Sequence, residues 1–139
     1  MTRAPLAFLR AQVGSARGIY LAGNTLDTRL SDFDGERELV LLLHGFFQTR
    51  NLWRQMERRL RADGYSVMSF AHRGLFGRLN TRPIDRVARE VAHKVRRLSR
   101  RHGFERLHVI GHSKGGLVAR AWIQRHGGHR FAASVTTLG

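Results

Sequence analysis

An α/β fold, with a mostly parallel sheet and helices on both faces, is what this sequence predicts, and three observations carry it. Strand-length apolar runs alternate with helix-period segments along the chain. The first run, Leu39-Val40-Leu41-Leu42-Leu43, is continuously apolar, the pattern of a strand covered on both faces. Each helical segment returns the chain to a new strand, which in this alternation means right-handed crossovers.

Taken in order, residues 1–35 are a poorly assigned N-terminal segment. Leu6, Phe8, Leu9 and Val13 line one side of a short helix there, and Gly14, Gly18 and Gly23 break it up. The strand from Leu39 ends at His44-Gly45. A helix is expected from about Asn51 to Ala62, with Asn51 as N-cap, Leu52, Met56, Arg59 and Leu60 sharing a side, and Gly64 after the last turn. Tyr65 to Phe70 reads as a second strand and His72 to Arg82 as a loop. Thr81 and Pro83 open a long helix in which Ile84, Val87, Ala88, Val91, Val95 and Leu98 form one face, with arginines over most of the rest and termination at Gly103. Leu107 to Ile110 is a third strand, and Lys114 to about Arg125 a third helix stopped by Gly127-Gly128. Phe131 to Leu138 is a fourth strand with β-branched Val135, Thr136 and Thr137. No internal repeat, low-complexity segment or linker divides residues 1–139, so they read as one domain.

Composition removes several function classes. With 42% hydrophobic and 25% charged residues the chain is globular rather than disordered or collagen-like. It has no cysteine, which excludes disulfides, a thiolate nucleophile and Cys-ligated metal. No apolar run is long enough for a membrane span, and Arg3, Arg10 and Arg17 interrupt any signal-peptide core, so the expected address is cytoplasmic. The balance of 25 basic to 10 acidic residues, +15, favours anionic partners. Only Lys94 and Lys114 are lysines; the excess is arginine scattered from Arg3 to Arg130 with no interleaved aromatics, which reads as a solvated face. No specific nucleic-acid partner is therefore expected, and contact with anionic surfaces would be transient.

The chemistry concentrates at Gly111-His112-Ser113-Lys114-Gly115, where the spacing Gly-x-Ser-x-Gly places a serine on the turn between a strand and a helix. Such a turn holds the hydroxyl above the sheet. Side chains at Gly111 and Gly115 would collide where the backbones pass close together. The helix that follows offers a positive dipole end and unpaired N–H groups, suited to an anionic intermediate.

In this context the chain resembles the α/β-hydrolase family, and within it the lipase and esterase branch. The matching residues are Leu41-Leu42-Leu43-His44-Gly45-Phe46-Phe47, Trp53 with Gly64-Tyr65, Gly111-His112-Ser113-Lys114-Gly115-Gly116-Leu117-Val118-Ala119-Arg120, and Val135-Thr136-Thr137-Leu138-Gly139. The resemblance implies a serine hydrolase acting on an ester or lipid substrate through a Ser113 acyl-enzyme. It implies an oxyanion hole made by the backbone N–H groups of Phe46 and Lys114. The plainer alternative for His44-Gly45 is a strand-ending turn in which Gly45 merely permits the bend, and His44 itself reads as structural. Because Lys114 then acts through its N–H, its side chain is expected to be replaceable.

The resemblance covers about Glu38 to the last residue and is that of the N-terminal half of a domain, a partial α/β-hydrolase fold. In this family the acid and the histidine follow the nucleophile, yet the last acidic residue here is Glu105 and the later histidines are His126 and His129. A helix of about 12 residues at roughly 1.5 Å each carries both away from Ser113. His44 and His72 lie near the same sheet edge, and Asp85 opens a helix there, but neither histidine has an evident orienting partner. The expectation is a serine ester hydrolase that is inactive or severely impaired as this isolated chain. The alternative is a non-catalytic remnant or basic binding module for anionic partners. No metal-ligand spacing, dinucleotide fingerprint or phosphate loop is present, so no cofactor and no metal are implied. Nothing in the sequence fixes the substrate, its acyl length or an oligomeric state.

Overall fold

The computed structural model describes residue 33 and residues 35–48, 50–70 and 80–139. The helix expected on Leu6 to Val13 and the loop containing His72 lie outside the described residues. Four strands, β1 (Leu39–Leu43), β2 (Ser66–Ser69), β3 (Leu107–His112) and β4 (Ala132–Leu138), form one parallel sheet in the order β2-β1-β3-β4. Helices α1 (Arg54–Ala62), α2 (Ile84–His102) and α3 (Lys114–Arg125) connect them.

The apolar run in β1 has a direct explanation. Leu39, Leu41 and Leu43 pack with Met68, Val87, Val91, Val95, Val109 and Trp122 on the α2 and α3 side. Val40 and Leu42 pack with Trp53 and Val67, with Met56 and Leu60 of α1 against them. Side chains alternate between faces, and a helix layer covers each. The chain steps outward from β1 to β2, then back across β1 to β3 and outward again to β4. The connections leaving β1 and β3 therefore diverge, opening a crevice between the carboxyl ends of those two strands.

Several boundaries differ from the sequence expectation. Asn51 is not an N-cap: it is buried in a 3-10 turn, Arg50–Trp53, and α1 begins only at Arg54 with no side-chain cap. Arg59 is exposed, and Glu57 is the buried residue of α1. Arg61 makes that burial tolerable, donating to Glu57 at 2.7 Å and to the Val67 carbonyl at 3.1 Å. Pro83, at φ −55°, immediately precedes α2, whose buried face adds Ala92 to the expected Val87, Ala88, Val91 and Val95. Gly103 ends that helix at φ 77°, a left-handed conformation that favours glycine. Strand β3 continues to His112. Strands β1 and β2 are buried along their whole lengths, β3 alternates between buried and half-buried residues, and in β4 residues 133–137 are exposed, so cover on both faces fades toward β4.

Candidate active site

Ser113 lies between the last residue of β3 and the first of α3, fully on the carboxyl edge of the sheet. Its φ of 51° and ψ of −123° are unusual for a residue with a Cβ. Such a conformation costs on the order of 1–3 kcal/mol and persists only where the surroundings enforce it. Here they do. The Ser113 N–H donates to the Leu138 carbonyl of β4 at 2.8 Å, and the Ser113 carbonyl accepts from the Gly116 N–H at 2.9 Å.

The glycines make this packing possible. A Cβ on Gly111 would lie 2.6 Å from the Gly116 nitrogen, and one on Gly115 would fall onto the Leu43 carbonyl at the end of β1. A Cβ on Gly45 would stand 3.1 Å from the Ser113 Cβ. Gly45 thus does more than permit a bend: it lets the segment after β1 abut the serine. Lys114 opens α3, where an N–H has no acceptor within its own helix and the dipole is positive.

Polar contacts tie three segments around the serine. The Gly45 N–H donates to Gln48 Oε1 at 2.9 Å, and the same oxygen lies 3.1 Å from His112 Nδ1. Asn80 Nδ2 donates to the His44 carbonyl at 3.3 Å, and His44 itself is buried. The Lys114 ammonium donates to the Arg82 carbonyl at 2.5 Å and the Asn80 carbonyl at 3.3 Å, and it stands 4.9 Å from the centre of the Phe46 ring. Burial holds its pKa below the usual 10.5. The ammonium thereby links the segment before α2 to the loop after β1, contacts that a reading of Lys114 as a backbone donor alone does not include. Phe46 and Phe47 are exposed beside it, edge to face at 4.4 Å, and Phe47 also has a positive φ, 53°.

The Ser113 side chain is exposed and forms no capping hydrogen bond. Among the described residues no histidine nitrogen bonds to it. His126, at the far end of α3, lies 2.7 Å from Asp85 instead. The Asp85 carboxyl is held below its usual 3.8, first by that hydrogen bond, with the positive charges of His126, Arg89 and Arg125 acting in the same direction against partial desolvation. Asp85 is thereby engaged away from the serine, and His129 is exposed next to Gly128. Among the described residues no cluster of three or more His, Asp or Glu is arranged to hold a metal ion, and no helix is long and apolar enough to cross a membrane.

Sequence reasoning missed Gln48 and Asn80. Neither belongs to a recognisable motif, and their roles depend on segments distant in sequence. The arrangement as a whole places an exposed serine on a strained turn, at a helix N-terminus, against the segment that follows β1.

Residues 38–139 match the family described as alpha/beta hydrolase fold. A fluoroacetate dehalogenase from a Burkholderia species is 34% identical over 104 residues, covering 70% of this chain and 30% of that protein. The crystal structure of Bacillus licheniformis lipase BlEst2 in mature form superposes with a TM-score of 0.64 at 18% identity, over 76% of this chain and 42% of that one. A carboxylesterase structure from the thaumarchaeon Nitrososphaera gargenis gives 0.55 at 18% identity, over 75% and 38%. The chain thus spans less than a third of the curated relative it matches, and less than half of these two structures.

Proposed function

The chain belongs to the α/β-hydrolase fold family, and from that premise we propose that it carries the nucleophile half of a serine ester hydrolase of the lipase or carboxylesterase type. The observation that carries this reading is the backbone of Ser113, φ 51° and ψ −123°, enforced by Gly45, Gly111 and Gly115. In this mechanism the Ser113 hydroxyl attacks an ester carbonyl and loses its proton to a base. The N–H groups of Phe46 and Lys114 receive the oxyanion, the alcohol leaves, and water releases the acyl group. Phe46 and Phe47, exposed beside the serine, offer apolar surface to the acyl or alcohol portion.

Likeness to a dehalogenase suggests a second reaction, attack on a carbon–halogen bond. A serine oxygen displacing halide from carbon would form an ether, which water does not readily cleave, so turnover would stop after one cycle. Ser113 at the turn therefore favours acyl transfer.

The chain by itself is expected to be nearly inactive, since no histidine is bonded to the Ser113 hydroxyl among the described residues. The test is hydrolysis of a short p-nitrophenyl ester by wild type and Ser113→Ala, for this chain and for the longest protein its reading frame encodes. The expected result is turnover that requires Ser113 in a protein supplying acid and base, and background rates from this chain alone. Turnover indifferent to Ser113→Ala would overturn the assignment, and Ser113-dependent fluoride release from fluoroacetate would favour the second reaction.

A further inference from the structure

The outer face of α2 is separate from the Ser113 edge and carries a different chemistry. His93, Arg96, Arg97, Arg100 and Arg101 follow one another at helical spacing and line a shallow groove of about 390 Å³ on the solvent side of the helix. The apolar side of α2 is wholly engaged: Val87, Val91 and Val95 are buried against the sheet. Its two acidic residues are also engaged, Asp85 by His126 and Arg89, and Glu90 by Arg82. Among the described residues Arg97, Arg100 and Arg101 have no carboxylate partner, and Arg96 reaches only the His126 carbonyl, at 3.4 Å. The helix dipole accounts for cations in the last turn, Arg100 and Arg101, but not for Arg96 and Arg97 a turn earlier.

We propose that this stripe is a docking surface for the phosphate backbone of a nucleic-acid duplex, bound without sequence preference. Guanidinium groups match phosphate oxygens in a bidentate geometry that lysine lacks, and the charged residues of the stripe are all arginine. From His93 to Arg101 the stripe extends about 12 Å, facing roughly three or four phosphates of one strand at one per ~3.4 Å of duplex axis. A membrane surface fits less well. A helix lying in a lipid interface inserts apolar side chains, and among the described residues the exposed large hydrophobics, Phe46, Phe47, Leu117 and Val135, all lie on other elements. The helix starts at the Ser113 edge, where Lys114 holds the Asn80 and Arg82 carbonyls, and runs toward the opposite edge. A duplex on its last three turns leaves the serine uncovered.

The proposal is tested by anisotropy titration of a fluorescein-labelled DNA duplex of arbitrary sequence across a salt series, using wild type and two charge-matched double variants. Arg97→Gln/Arg100→Gln removes two members of the stripe. Arg58→Gln/Arg59→Gln removes two exposed arginines of α1 and leaves the same net charge. Glutamine keeps helix propensity in both, and circular dichroism confirms that the variants fold. The expected result is a loss of at least about tenfold in affinity near 0.1 M salt for the α2 variant, with a log–log salt slope shallower by about 2. The α1 variant should change affinity by no more than about threefold. Equal losses in the two variants would reduce the effect to net charge and overturn the site. So would failure of wild type to bind the duplex at about 50 mM salt, or α2-dependent binding to phosphatidylserine vesicles without binding to the duplex.

Discussion

The strand that leads to Ser113 has two unlike neighbours. On one side β1 is buried along its whole length, packed by helices on both faces. On the other, β4 is exposed over residues 133–137, with Val135 at 40%. Both hold the turn, but by different means. The end of β1 acts through shape, pressing the Leu43 and His44 carbonyls against Gly115 and Gly45 against Ser113. Strand β4 acts through a hydrogen bond, the Leu138 carbonyl accepting from the Ser113 N–H, and through Thr137, a side chain whose Cγ2 would lie 3.0 Å from a Cβ on Gly116. The difference teaches that the strained turn meets unyielding backbone on the packed side of the sheet, and a hydrogen bond and one side chain on the open side.

The largest effect expected from this asymmetry is at Gly115. Gly115→Val forces side-chain atoms into the Leu43 carbonyl, which is backbone and cannot rotate aside, and should cost about 3 kcal/mol or more in urea unfolding. A variant as stable as wild type would mean that the β1 contact does not support the turn. Leu42→Ala, in the centre of β1 with no exposed surface, should cost about 2–5 kcal/mol by transfer and cavity terms together.

Lys114→Gln sharpens the picture at the site itself. Losing the ammonium's contacts with Arg82, Asn80 and Phe46 should destabilise by about 1 kcal/mol, partly offset because the charge no longer has to be desolvated. On the open side, Val135→Ala should stay within about 0.5 kcal/mol. If it cost as much as Leu42→Ala in the same chain, β4 would be packed in solution and the contrast would fail.

The smallest effect is expected from Asp85. Its carboxyl has a folded pKa below the ordinary 3.8, so the ionised form is favoured in the native state. The contribution is complete above that ordinary value and is lost as pH falls through the lowered one. Thermal melts of wild type and Asp85→Asn should therefore differ slightly at neutral pH and converge in acid. A difference that persisted below the folded pKa would point to packing rather than charge.

Much of the fold was legible in the residues themselves. The unbroken apolar run at Leu39–Leu43 required cover on two faces, the spacing of Val87, Val91 and Val95 required a single buried helix face, and Gly103 marked where that helix stops. Gly111, Ser113 and Gly115 identified the turn because their spacing encodes a local conformation that few other residues tolerate. What only the tertiary structure decided depends on partners far apart in the chain. Glu57 rather than Arg59 is buried because Arg61 and the Val67 carbonyl lie beside it. Asn51 lost its expected capping role to a 3-10 turn, Asp85 found His126 across two helices, and the Lys114 ammonium found carbonyls more than thirty residues upstream. Local patterning sets backbone conformation and which face is apolar, because both repeat along the chain. The pairing of individual polar groups is set by where the sheet brings the loops, and no spacing in the sequence records that.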